Sequence, residues 1–142
     1  MGNLLNRMAL LAKEKLETEK VEFENGDFVY VRQMTGHERD MFEESMIRKN
    51  KDTKGNVLSM ETVLSDFRAK LASIVLCDED GKSLLDIKDY LTLSSNMSAK
   101  RLEAITNVAQ RLNAITEQDK EEIVKNSVAG QPGDSNFDSA EN

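Results

Sequence analysis

The 142-residue sequence contains one cysteine, one histidine, one proline and no tryptophan, and only 5% of its residues are aromatic. The lone cysteine, Cys77, excludes an internal disulfide and is typical of a protein that folds in a reducing compartment. One histidine and one cysteine cannot supply the four ligands of a structural zinc site. Because aromatic residues are so few, any core must be built mainly from Leu, Ile, Val and Met.

Residues that could perform catalysis are equally scarce. Acid–base or nucleophilic catalysis needs a positioned group with a matched pKa, commonly a histidine, or a nucleophile beside a base. The single histidine, His37, falls in the first turn of a predicted helix, where a structural or surface role explains it. Neither the Walker phosphate loop nor the dinucleotide-binding glycine pattern is present. We therefore expect that the protein is not an enzyme and uses no cofactor.

The sequence also lacks a dense basic stripe and a long apolar run. Its formal net charge is -7, whereas nucleic-acid binding needs a clustered excess of Lys and Arg. The best basic group is short and is predicted to lie at a solvated loop: Arg48, Lys49, Lys51 and Lys54. No segment approaches the ~18 consecutive apolar residues of a membrane span. We expect neither a nucleic-acid partner nor a membrane partner.

Amphipathic helices account for most of the chain. Apolar residues recur at spacings of three and four, which places them on one face of each helix. Thr35 and Glu38 have the spacing of a capping box at one helix start. The pattern predicts helices over 3–18, 36–49, 59–77, 86–92, 98–115 and 117–125.

A change to period two after the first helix predicts a β-hairpin over 20–33. The Asn-Gly pair at 25–26 is typical of a two-residue type I′ turn, in which both central residues have positive φ. Directly opposed residues of a hairpin share a sheet face. That turn predicts one apolar face, with Phe23 opposite Phe28 and Val21 opposite Tyr30.

These patterns together predict a mainly α protein with a small N-terminal β-hairpin (α+β). A compact helical domain is expected over 1–126, followed by a disordered tail over 127–142. The tail is expected because it is rich in Gly, Ser, Asp and Asn and has a single Phe, which cannot form a core.

One segment partly matches the loop of a calcium-binding EF-hand. Asn50, Asp52, Gly55 and Glu61 fall at loop positions one, three, six and twelve. Lys54, however, lies at position five, where an oxygen ligand is expected, and its ammonium would repel the ion. We therefore assign no metal site and keep a calcium-binding helical protein as an alternative function.

Three short segments occur in a recognisable order. The first, Val31 to Arg39, reads V-R-x-x-T-x-x-E-R; the second is an apolar run that ends in Cys77 and an acidic glycine turn; the third is Leu112 to Thr116. In this order they resemble the small tail assembly chaperones of long-tailed, siphovirus-like bacteriophages. The resemblance extends over about 19–126.

The resemblance implies a function for the chain. Proteins of this family bind the tape measure protein and keep it soluble, help to recruit the major tail protein, and are absent from the finished virion. For this chain it implies those two partners, assembly into a homo-oligomer, and a location in the host cell cytoplasm. A different assembly adaptor, of the head-tail connector type, remains the alternative within the same class.

A chaperone for amphipathic helices needs exposed apolar residues that can receive them. The first helix and the hairpin offer such residues. We predict that seven residues contact the tape measure protein or a second copy of the chain: Leu4, Leu5, Met8, Leu11, Phe23, Phe28 and Tyr30.

Overall fold

The computed structural model of the chain describes residues 2–62 and 64–115. The helix predicted over 117–125 and the tail predicted over 127–142 lie outside the described residues. The helices are α1 (Arg7–Leu11), α2 (Gly36–Glu44), α3 (Phe67–Val75), α4 (Tyr90–Asn96) and α5 (Ala99–Leu112). The strands are β1 (Thr18–Glu22), β2 (Phe28–Arg32), β3 (Ile47–Lys51), β4 (Val57–Thr62) and β5 (Leu76–Cys77). A short 3-10 helix, Ile87–Asp89, precedes α4.

The prediction of a mainly helical fold is wrong. The described part is an α+β fold whose five strands form two antiparallel sheets, one in the order β1-β2-β5 and the other made of β3 and β4. The second sheet lies where we predicted a helix end, a loop and the start of a helix at 59. The β3 sequence Ile-Arg-Lys-Asn-Lys has one apolar residue, so it carries no alternating signal, and its pairing with β4 decides its conformation.

The helix predicted over 3–18 is much shorter than expected. Only Arg7–Leu11 is helical, and none of its residues is buried. The side-chain oxygen of Asn6 accepts a hydrogen bond from the Ala9 N–H at 2.9 Å and caps this turn. Because isolated helices need length or packing to be stable, an unpacked amphipathic segment ends early. The chain then has no regular secondary structure from residue 12 until β1 begins.

The N-terminal hairpin is present, but its register differs from the prediction by one residue. Val21 pairs with Val29, and Glu22 pairs with Phe28. Asn25 does not have the positive φ that a type I′ turn needs, whereas Gly26 has a φ of 93°. The loop therefore has three residues and ends in a left-handed glycine, another common hairpin closure.

This shift exchanges the faces of the second strand, because side chains alternate along a strand. Val21, Val29 and Val31 face the core, and Phe23 packs against it. Phe28 and Tyr30 lie on the opposite face, where their rings meet edge to face at 5.8 Å. The predicted face that joined all four apolar residues is wrong.

Helix α3 is the centre of the core. It contacts α2, α4 and α5, and all its residues from Ala69 to Val75 are buried. A helix that is buried all round fits only between other elements. Even Lys70 is buried, and its ammonium donates to the Ser45 carbonyl at 2.8 Å. Leu71, Ile74 and Val75 of the predicted apolar stripe lie in the core and Phe67 packs against it. The helix begins at Phe67 and not at 59, and Leu64, which precedes it, is 47% exposed.

Helix α5 packs on α3 and covers the N-terminal hairpin. The Ser98 hydroxyl caps its first turn by accepting from the Arg101 N–H at 3.2 Å. Three basic side chains of α5 form ion pairs with carboxylates of the hairpin: Lys100 with Glu24, Arg101 with Asp27, and Arg111 with Glu19.

The joint between β2 and α2 is held by an ion pair between Arg32 and Glu38. Arg32 is only 4% exposed, and its two terminal nitrogens each donate to a different oxygen of the Glu38 carboxylate at 2.8 Å. The predicted capping box is confirmed, because Glu38 accepts from the Thr35 N–H at 3.0 Å and donates its own N–H to the Thr35 hydroxyl at 3.2 Å. A bidentate pair of this kind fixes both distance and orientation.

The end of α5 is tied to the same joint through Asn113. Its side-chain oxygen accepts from the Met34 N–H at 2.6 Å, and its side-chain nitrogen donates to the Ala109 carbonyl at 2.9 Å and to the Arg32 carbonyl at 3.5 Å. The Arg39 guanidinium donates to the Asn113 carbonyl at 2.9 Å. One asparagine thus joins α5 to the segment that enters α2.

Strand β5 brings a third segment to this joint. Leu76 pairs with Val31 and Cys77 with Tyr30, so β5 lies directly beside the end of β2. The turn after β5 is closed by the Asp78 carboxylate, which accepts from the backbone N–H groups of residues 80 and 82 at 2.9 Å. We call the contacts of Arg32, Glu38 and Asn113, together with the β2–β5 pairing, the central joint.

Replacement of Glu38 by Gln should lower the free energy of unfolding at neutral pH by about 2–4 kcal/mol, because it leaves the Arg32 cation poorly paired in a site with little water. The matched change Glu43→Gln removes an exposed pair with Arg39 and should cost less than ~1 kcal/mol. Urea denaturation of both variants and of the parent protein measures the difference.

The cost of Glu38→Gln should also depend on pH. The ion pair with Arg32 holds the pKa of Glu38 below its ordinary value of 4.5, although burial opposes this. The unfolded chain therefore takes up the proton first, and the stabilisation is complete above that ordinary value. It is lost as the pH falls through the lowered pKa of Glu38. A difference between parent and variant that stayed constant across this range would contradict the assignment.

Candidate partner-binding surfaces

The predicted contact residues of the first helix are all exposed. Leu4 is fully exposed, and Leu5, Met8 and Leu11 are more than half exposed. Leu10 of the same segment is also exposed, and sequence reasoning did not include it because it lies off the predicted stripe. We call Leu4, Leu5, Met8, Leu10 and Leu11 the N-terminal apolar segment. A cluster of this size on a short, unpacked helix is available to a partner.

The predicted hairpin residues do not form one surface. Phe23 is partly buried, and the Arg101 guanidinium lies 4.4 Å from the centre of its ring. Phe28 is 50% exposed, and the Lys20 ammonium lies 4.2 Å from the centre of its ring. Tyr30 is half-buried beside Phe28. The structure therefore brings Phe28 and Tyr30 together on an outer face and separates Phe23 from them.

A groove separates the N-terminal linker from the rest of the fold. Leu16, Met34 and Leu112 supply apolar walls, and Arg39 and Asp80 supply charge. The linker is held in place by Gln33, whose side-chain oxygen accepts from the Glu17 N–H at 3.0 Å. The groove thus continues from the N-terminal apolar segment to the central joint.

A second groove, of about 670 Å³, lies between α4 and the start of α5. Leu85, Leu93 and Met97 line it, with Asp89 and Arg101 at its polar side. Sequence reasoning missed this groove, because the apolar residues of two separate elements form it only when they pack together.

Exposed apolar residues also occur on the second hairpin, which we call the arm and define as residues 47–62. Val57 is 49% exposed and Leu58 is 56% exposed. The sequence prediction did not include them, because they fall between the helices predicted over 36–49 and 59–77 and no strand was expected there. The spacing of Asp52 and Gly55 matches that of Asp78 and Gly81, and this repeated turn signal could have revealed the strands.

The calcium-loop interpretation is contradicted by this geometry, since strands and not helices flank the loop. The Asp52 carboxylate accepts from the backbone N–H groups of Lys54 and Asn56, each at 2.9 Å. The Asn56 N–H is the main cause that lowers the pKa of Asp52. Within residues 2–62 and 64–115, no group of three or more His, Cys, Asp or Glu residues is arranged to hold a metal ion.

Two further residues singled out from the sequence have structural positions. His37 lies in the first turn of α2. Cys77 is buried in β5, and burial raises the pKa of its thiol. A buried thiol with a raised pKa has little of the thiolate that reacts. No helix in the described part of the chain is long and apolar enough to cross a membrane.

No family model matches the sequence, and no curated protein matches it. Among solved structures, the tail assembly chaperone of bacteriophage HK97 is similar, with a TM-score of 0.48 and 15% sequence identity. The match covers 75% of this chain and 97% of that chain.

The two phenylalanines of the hairpin provide a test of its register. Phe23→Ala should lower the free energy of unfolding by about 2 kcal/mol, because the ring packs against the core. Phe28→Ala removes a half-exposed ring and should cost less than about 1 kcal/mol. Chemical denaturation of both variants measures this. Equal costs would support the register in which the two rings share a face, and would contradict the observed one.

Proposed function

We propose that the chain is a bacteriophage tail assembly chaperone that binds and solubilises the tape measure protein. It helps to recruit the major tail protein and leaves before the virion is complete. It acts in the host cell cytoplasm and assembles into a homo-oligomer. It performs no catalysis and requires no cofactor.

The observation that carries this proposal is the convergence of the three segments on which the resemblance rests. Residues 31–39, the end of the apolar run at 74–77, and residues 112–115 are far apart in the sequence, yet all three meet at the central joint. Arg32, Glu38 and Asn113 make direct contacts there. The three segments that carry the resemblance therefore belong to one connected structural unit of this chain.

The surface chemistry supports a binding role. The N-terminal apolar segment presents exposed leucines and a methionine on and just before a short helix in which no residue is buried. Methionine adapts to different partners because its side chain is unbranched and polarizable. An amphipathic helix of the tape measure protein could bury its apolar face against such a segment, as helices do in apolar grooves. The net charge of -7 opposes aggregation of the chaperone itself.

Co-expression with the tape measure protein of the same phage tests the proposal. The parent chain should raise the soluble fraction of the tape measure protein and should co-purify with it. The variant Leu4→Glu, Met8→Glu, Leu11→Glu should lose most of this effect, because three carboxylates cannot be buried against an apolar helix. The variant should remain folded, since these residues are exposed in the free chain.

A matched control carries the same three charges on other exposed leucines: Leu64→Glu, Leu84→Glu and Leu91→Glu. This control should solubilise the tape measure protein as well as the parent does. If the N-terminal variant also did so, the binding surface would be wrongly placed. If the parent chain itself gave no increase in solubility, the chaperone function would be wrong.

A further inference from the structure

The arm is a basic element in an acidic protein. Its sixteen residues include four basic and two acidic ones, which gives a formal net charge of +2, whereas the whole chain carries -7. Lys49, Lys51 and Lys54 are all exposed. The two strands of the arm contact mainly each other, so these ammonium groups lie on a surface that the core does not cover.

The lysines of the arm differ from the basic residues of α5. Lys100, Arg101 and Arg111 each form an ion pair with a carboxylate of the first hairpin. Lys49, Lys51 and Lys54 form no ion pair with any residue in the described ranges. The charge of these three lysines is therefore left for a partner that brings carboxylates.

Apolar residues lie beside these lysines. Val57 and Leu58 are about half exposed, and Val57 pairs with Lys51 across the two strands. A surface that combines lysines with exposed aliphatic residues fits an acidic segment that also contains aliphatic residues.

The chain contains such a segment beyond the described residues. Residues 116–142 include seven acidic and two basic residues, for a formal net charge of -5. Within it Glu121 and Glu122 directly precede Ile123 and Val124. The two carboxylates are complementary in charge to the lysines of the arm. The two aliphatic residues are apolar, as Val57 and Leu58 are.

The segment is long enough to reach the arm. The last described residue is Ile115. It lies close to the start of α2, since Arg39 of α2 donates a hydrogen bond to the Asn113 carbonyl. The arm begins just after the end of α2. The length of α2 and of β3 together is about 30 Å. Glu121 to Val124 lie six to nine residues beyond Ile115 and reach up to about 20–30 Å when extended, and the end of the segment reaches up to about 90 Å. A covalent tether of this order keeps a segment at an effective concentration of about 1 mM.

We propose that the arm is a docking surface for the acidic C-terminal segment 116–142 of the same chain. The lysines pair with its carboxylates, and Val57 and Leu58 contact its aliphatic residues. The segment thereby covers the arm in the free protein, and any acidic partner of the arm must displace it. This inference does not depend on a role in tail assembly.

A spin label placed in the segment tests the proposal in the full-length chain. Ser127→Cys supplies the attachment point, and Cys77 is 1% exposed and should not react. The label should cause a loss of backbone amide signal in the arm in nuclear magnetic resonance spectra at low salt. The signals should return at 1 M salt, where the Debye length falls from about 10 Å to about 3 Å.

Charge reversal in the arm should abolish the effect. The labelled variant Lys49→Glu, Lys51→Glu, Lys54→Glu should show arm signals as strong as those of the unlabelled chain. The labelled control Lys13→Glu, Lys82→Glu, Lys88→Glu makes the same change of charge on exposed lysines outside the arm and should keep the loss of signal. Well-dispersed spectra of each variant show that it is folded.

A mixed sample identifies which copy supplies the segment. Chains that carry the spin label but no isotope are mixed with isotope-labelled chains that carry no spin label. Unchanged arm signals in this mixture support docking within one chain. Signal loss in the mixture would show that the segment binds a second copy, and would overturn the proposal. Arm signals unaffected by the label in the parent chain would overturn it as well.

Discussion

The buried guanidinium of Arg32 is the constraint on which the rest of the fold depends. A cation that leaves water loses several kcal/mol of solvation, and only a well-placed partner compensates for this loss. Glu38 provides that partner with two hydrogen bonds, and the Gln33 carbonyl accepts a third at 2.8 Å. The Nε atom of Arg32 has no hydrogen-bond partner among the described residues. The bidentate pair with Glu38 fixes the distance and the orientation at which strand β2 meets helix α2.

Once β2 and α2 are fixed, the positions of the other core elements follow. Asn113 binds both Met34 and Arg32, which places the end of α5 against the same joint. Strand β5 pairs with β2 at Val31 and continues directly from α3. Helix α3 is thus enclosed by α2 and α5, which both connect to the joint, and by α4, which explains why nearly all of it is buried. The arm and α1 contribute no residue to the central joint.

Structural features that depend on residues close together in the sequence can be predicted from it, whereas features that depend on contacts between distant residues cannot. The Thr35–Glu38 cap could be predicted because both partners lie in one helical turn. The hairpin register could not, because Asn25 uses its side-chain oxygen to accept from the Asp27 N–H and the loop gains one residue. The sequence pattern predicts the exposure of Leu4, Leu5, Met8 and Leu11 but not that of Leu10. The partial burial of Phe23 was not predicted, because it depends on packing against α5 across a large sequence separation.

The arm and the N-terminal apolar segment differ in chemistry, and this difference separates the partners that they can bind. The leucines of α1 gain free energy only by removing apolar surface from water, an effect that salt screening does not weaken. The lysines of the arm act through charge, which salt screens within a few ångströms at high ionic strength. Neither element supports the core. Occupation of either surface, as proposed above, would therefore leave the central joint intact.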